Sequence, residues 1–262
     1  MRQGIATSMG VEALQIPMFG LYGACSTSGE ALALASMSAA AGYGGTMIAV
    51  TSSHFGSAEK EFRFPLGYAN QRPLSSHWTV TGSGAFLVQS AEEYRKQNTK
   101  SYFSNIRITG VTVGKIVDYG LKDSQNMGAC MAPAAMDTIV QNFQDMERKK
   151  NDYDRIITGD LGSIGRTILF DLIREKGYDI CEKHMDCGMT IFDKERQDTH
   201  AGGSGCGCAA VTLASYVLPK LEKGEWKRVL FVPTGALMST VSFNEGASVP
   251  GIAHGIVLES DA

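Results

Sequence analysis

A chain of 262 residues, 44% hydrophobic and 19% charged, carries enough apolar side chains to bury a full core, as one large domain or two fused halves. The formal net charge of −3, with no basic block and no basic–aromatic alternation, excludes nucleic acid as a partner. No apolar run reaches membrane-spanning length, and the opening MRQGIATSMG lacks the shape of a secretory signal.

Along the chain, an apolar approach at 16–21 leads into Gly23-Ala24-Cys25. Small residues (Ser26, Thr27, Ser28, Gly29) open a helical pattern with Leu32, Leu34 and Met37 among alanines. This is the grammar of a buried approach, a sharp elbow and a helix that begins at a cysteine. The unpaired N–H groups and partial positive charge of a helix N-terminus push a thiol there toward thiolate, the form that attacks acyl carbonyls. A buried structural cysteine explains the same stretch equally well.

Glycines at 42–45 close that helix, and MIAVT at 47–51 reads as a buried strand. Residues 54–79 read as a long irregular segment of the functional or partner-facing kind, with Lys60, Arg63, Arg72 and His77. Strands are expected at 79–89 and 106–118, and a helix at 127–150 whose methionines are plain core. The strand RIIT at 155–158 runs into Gly159-Asp160-Leu161-Gly162, and a helix follows through residue 175. A mixed stretch ends in His200-Ala201-Gly202-Gly203-Ser204-Gly205-Cys206. A helix at 209–221 and strands at 228–233 and 255–259 complete the chain.

The six cysteines (25, 130, 181, 187, 206, 208) are too scattered for a disulfide framework and fit a reducing compartment. Cys206-Gly207-Cys208 with His200 nearby lacks a second cysteine knuckle, so no metal site is expected.

The chain also repeats itself. Elbow with cysteine, helix, glycine, strand, insertion, strand occurs twice, with 25 positions from Cys25 to Val50 and 26 from Cys206 to Val232. Such spacing points to duplication: two α/β halves packed face to face, with both elbows meeting at the seam where pockets form.

A duplicated α/β chain with a cysteine on an elbow helix resembles the thiolase superfamily. Within it, GLYGACSTS, AVTSSH, FRFP, QRP, WTVTGSGA, ITGDLGS, DCGM and DTHAGGSGCGC resemble the stage V sporulation protein AD family over nearly the whole chain. The resemblance implies a thiolase-like duplicated α-β-α layered fold lacking the first β-α-β unit of its N-terminal half. Residues 1–120 would form that half, truncated at its start, and 121–262 the C-terminal half. It implies a dipicolinic acid-binding protein that helps move dipicolinate into the developing spore. The expected setting is the cytoplasmic or forespore side of the spore inner membrane, peripherally associated, with the other SpoVA membrane proteins as partners and a homodimer as the assembly. No cofactor is implied, although calcium could accompany dipicolinate.

The resemblance also assigns residues. Cys25 matches the nucleophile, and His200, in THAGGSG, matches the histidine that would deprotonate it. Where ketoacyl synthases carry the histidine of HQAN and thiolases the asparagine of NEAF, this chain offers Gly159 and Asp160. An ionised Asp160 accepts hydrogen bonds and repels an oxyanion, so condensation loses roughly 3–4 kcal/mol on that interaction alone. A non-catalytic binder is therefore expected, with a cysteine-dependent acyltransferase or ketoacyl synthase-like enzyme as the alternative, and a scaffold with a vestigial pocket as a third. Asp160 also reads as a cap for the helix that follows it. A flat pyridine with two carboxylates calls for cations or helix N-termini at its two ends. Cys25, Ser26, Asp160, His200, Ser204, Arg63, Arg72 and His77 are the expected ligand contacts, with His54 and Arg166 as further cations.

Overall fold

The computed structural model describes residues 8–62, 72–96 and 105–261. In chain order the elements are α1 (Thr27–Ala40), β1 (Thr46–Ser53), α2 (Phe55–Phe62), β2 (His77–Thr79), β3 (Gly82–Gln89), α3 (Ala91–Lys96), β4 (Ile106–Thr112), α4 (Met127–Asp145), β5 (Arg155–Thr158), α5 (Gly162–Glu175), β6 (His184–Asp186), α6 (Cys187–Thr190), β7 (Gly202–Ser204), α7 (Cys206–Thr212), α8 (Leu218–Glu222), β8 (Arg228–Val232), β9 (Thr234–Ala236), α9 (Thr240–Asn244), β10 (Gly251–Ala253) and β11 (Gly255–Ser260).

A five-stranded sheet ordered β4-β11-β8-β5-β6 forms the centre. Strand β5 runs parallel to β8 and β6, and β11 runs antiparallel to both β8 and β4. Successive side chains on a strand point to opposite faces, and here both faces are buried. Ile156, Leu230, Val232 and Val257 pack against Met131, Ile139 and Phe143 of α4 and Leu169 and Ile173 of α5. Ile157, Val229, Phe231, Ile256 and Leu258 pack on the other side, against Leu32 of α1 and Ala209 of α7. The antiparallel pair β1–β3 lies beyond that second helical layer, so that helices and sheets alternate. Among the described residues β1 pairs with β3 alone, and Ile48, Val50 and Leu87 are exposed.

The two passes of the repeat match. Cys25, α1, β1 and β3 run as Cys206, α7–α8, β8 and β11 do, and in each pass the two strands pair antiparallel. Strand β4, which chain order assigns to the first half, forms the edge of the second half's sheet against β11.

Several elements differ from their sequence reading. The irregular stretch 54–79 holds α2 and β2. The strand expected at 79–89 breaks after Thr79, because Val80 N–H donates to Ser204 O and the chain turns from β7 to β1. Helix α4 ends at Asp145, where Glu147 reverses the chain at φ 51°. The helix expected from residue 209 starts at Cys206 and widens into a π-turn at Leu213–Val217. Pro219, in the first turn of α8, has no N–H to continue the ladder, which accounts for the widening.

Candidate functional site

The Cys25 elbow is built from its own small residues. Ala24 adopts φ 51°, a conformation that costs a non-glycine residue about 1 kcal/mol or more. The turn is held by short local bonds: Ser26 Oγ donates to Gly23 O at 2.6 Å, and Thr27 Oγ1 donates to Ala24 O at 2.6 Å. Thr27 Oγ1 in turn accepts from Gly23 N–H at 3.1 Å. Gly235 presses against this turn so closely that a Cβ there would lie 2.3 Å from Gly23 O. Ser26 is buried and committed to the elbow, and is not among the residues lining the cavity beside Cys25.

The second elbow meets the first through Asp160. Gly205, at φ 103°, donates its N–H to Asp160 Oδ2 at 3.0 Å, and Thr234 Oγ1 donates to Oδ1 at 2.9 Å. The Cys25 thiol hydrogen-bonds the same carboxyl. Asp160 therefore joins the two elbows and does not cap α5. That role falls to Asp186, whose carboxylate accepts from Leu161 N–H and Gly162 N–H as well as from Met189 N–H. The Gly205 N–H at this helix N-terminus is thus already taken by the protein.

A cavity of about 100 Å³ opens over this junction, lined by Cys25, Cys206, Ser204, His77, Glu59 and Ser53 among others. His77 Nε2 donates to Leu161 O at 3.1 Å. Glu59 is buried and accepts from Thr79 N–H at 2.7 Å. The Cys206 thiol donates to Ser52 O at 3.0 Å.

Burial, more than any neighbour, sets the protonation of the site. It lifts the Asp160 carboxyl to about 7, against the hydrogen bonds from Gly205, Cys25 and Thr234. Burial first, and then the Asp160 charge, push the Cys25 thiol well above its ordinary range and the Cys206 thiol up to about 11. The thiolate expected from a helix N-terminus is overruled, because desolvation and an adjacent carboxylate outweigh the helix dipole.

The structure brings Cys25, Asp160, Ser204 and His77 together. His200 is not with them: its Nδ1 donates to Pro73 O at 2.9 Å and its Nε2 faces Asp198 Oδ1 at 3.0 Å, so the expected thiol–imidazole pair does not form. Its φ of 52° and the loop contacts turn the ring onto the 72–76 segment. Arg72 is occupied by Asp198, donating to its O at 2.7 Å and its Oδ2 at 3.1 Å, and stacks 3.9 Å from the Trp78 ring centroid. Arg63 lies outside the described residues. His54 is exposed away from the cavity, and Arg166 lines a different one. The sequence reading missed Glu59, Cys206 and Ser53. The helical spacing of 55–62 inside the supposed loop was the available signal for Glu59, and the cysteine position in the second pass of the repeat was the signal for Cys206.

All six cysteines are free, and no group of three or more potential metal ligands occurs among the described residues. No helix among them is long and apolar enough to cross a membrane.

The chain is 14% identical to AbyA1, a tetronic acid condensing enzyme, over 97% of its length and 73% of that chain, with a TM-score of 0.61. It is 11% identical to 3-oxoacyl-[acyl-carrier-protein] synthase III from Aquifex aeolicus over 98% of its length and 71% of that chain, with a TM-score of 0.56. At such identity the likeness concerns the fold, which is thiolase-like. The Stage V sporulation protein AD of Bacillus subtilis (strain 168) is 41% identical over 259 residues, 99% of this chain and 73% of that protein. The sequence pattern of the Stage V sporulation protein AD (SpoVAD) family matches residues 1–259, and the chain belongs to that family.

Proposed function

We propose that the chain binds dipicolinic acid in the Cys25 cavity and serves its uptake into the developing spore without catalysing acyl transfer. The pairing of Asp160 with Cys25 carries this reading. A condensing enzyme needs a thiolate and hydrogen-bond donors aimed at a developing oxyanion. Here a carboxyl stands at the thiol, raises its proton affinity and, once ionised, repels the oxyanion. Family membership supports the sporulation role.

Among the described residues, the cavity lining contains neither lysine nor arginine. The ligand's carboxylates are met instead by neutral donors on the lining, the Cys25 thiol and the Ser204 hydroxyl, with the buried Asp160 carboxyl behind the thiol. A group that titrates at about 7 makes this binding pH-dependent, strongest while Asp160 keeps its proton. The protein acts as a homodimer at the spore inner membrane, without spanning it, beside the membrane-embedded SpoVA proteins.

Calorimetric titration with dipicolinate at pH 6 and pH 8, and intact-mass measurement after incubation with acyl-CoA, test the proposal. Saturable binding that weakens at pH 8, with no mass increase, is expected. An acyl adduct on Cys25 would establish the acyltransferase instead, and the absence of both signals would leave a scaffold.

A further inference from the structure

A second cavity, of about 320 Å³, lies away from Cys25 and shares no lining residue with the first. Its cationic wall is made by Arg155, at the start of β5, and Arg166, in the second turn of α5, with His184 of β6 beside them. Its flat wall is made by Tyr216, on the π-turn, and Trp226, whose rings meet edge to face at 5.9 Å. Neither arginine forms an ion pair among the described residues. The Arg155 guanidinium donates one bond to Asp154 O and sits 5.6 Å from the Trp226 ring centroid. The Arg166 guanidinium sits 5.8 Å from the Phe170 ring centroid, with its Nε–H buried and without a hydrogen-bond partner.

The one carboxylate in the lining, Asp186, is turned the other way. Its oxygens already accept from Thr158 Oγ1, Leu161 N–H, Gly162 N–H and Met189 N–H, so it neutralises neither guanidinium. His184 donates from Nε2 to Thr158 Oγ1 at 3.0 Å, because that hydroxyl gives its own proton to Asp186. Burial and the Arg166 charge keep the ring neutral, so it adds no competing charge.

Two guanidinium groups without a carboxylate partner and two aromatic rings lining one cleft of this size define a ligand class. Guanidinium forks bind carboxylates in paired hydrogen bonds, aromatic faces stack on flat rings, and the volume is at the lower end for small-molecule pockets. We propose that this cavity is a second binding site, for a compact anion carrying a flat ring, of the single-ring aromatic carboxylate class. It is independent of what Cys25 and Asp160 bind.

The chain has two tryptophans, Trp78 near the first cavity and Trp226 in the second, so indole N–H resonances of the 15N-labelled protein report on each separately. Titration with benzoate is expected to shift the Trp226 signal saturably and leave that of Trp78 in place. Benzamide, which keeps the ring without the charge, and cyclohexanecarboxylate, which keeps the charge without the flat ring, are each expected to bind at least about tenfold more weakly. Arg166→Gln is expected to weaken benzoate binding at least about tenfold. Arg155→Gln, at the cavity's other edge, repeats the test should the helix substitution disturb folding. No Trp226 shift at about 10 mM benzoate overturns the proposal. So does equal binding of benzamide or of cyclohexanecarboxylate, or undiminished benzoate binding by both variants.

Discussion

Replacing Asp160 by asparagine removes the charge on which the site's chemistry turns while keeping the shape of the side chain. Burial holds the Asp160 proton to about pH 7, whereas the unfolded chain releases it near 3.8. Between those values the folded state binds one more proton than the unfolded state, so stability falls by about 1.4 kcal/mol for each pH unit climbed. The interval amounts to about 4 kcal/mol, absent below pH 3.8 and fully expressed above pH 7. An amide in this place still accepts from Gly205 N–H through its oxygen and carries no charge to desolvate. At about 2–4 °C per kcal/mol for a chain of this size, Asp160→Asn should melt on the order of 10 °C above the wild type at pH 8, with the gap closing to about a few degrees at pH 5. Differential scanning calorimetry across pH 5 to 9 reads this directly. A gap independent of pH, or one that widens toward acid, would refute the assignment of the raised acidity to Asp160.

Three further outcomes follow from the same geometry. With its thiol held well above the ordinary range, Cys25 should react with iodoacetamide at pH 8 at least about tenfold more slowly than free cysteine, and Asp160→Asn should speed it several-fold, as followed by peptide mass mapping. Gly235→Ala drives a methyl group to 2.3 Å from Gly23 O and must displace the Cys25 elbow. It should cost about 1–3 kcal/mol by urea unfolding and abolish dipicolinate binding measured by calorimetry. In the buried chain where Tyr153 Oη donates to Asn142 Oδ1 at 2.6 Å and Asn142 Nδ2 donates to Thr112 Oγ1 at 2.8 Å, Tyr153→Phe leaves an amide oxygen unsatisfied. It should lower the urea midpoint by the equivalent of about 1–3 kcal/mol without changing ligand affinity.

Local pattern carried much of the architecture. Alternation in RIIT and RVLFV places Ile156, Leu230 and Val232 on one face of the sheet and Ile157, Val229 and Phe231 on the other, and period-two geometry allows nothing else. The glycine-small-cysteine elbow and its second copy were likewise legible, because a turn this tight admits few residue types. The family resemblance implied that Asp160 stands where condensing enzymes carry an imidazole or amide. Tertiary packing decided the rest. Whether a thiol at a helix N-terminus ionises depends on what else is buried beside it, and the carboxyl 135 positions away along the chain is brought there only by folding. His200 and Arg72 look like site residues in one dimension. They turn to Asp198 and Trp78 because a side chain settles where its hydrogen-bond acceptors and a stacking face are nearest in space. Arg155 and Arg166 share a cavity wall for the same reason: long-range distances are set by how layers pack, and no spacing rule along a chain encodes them.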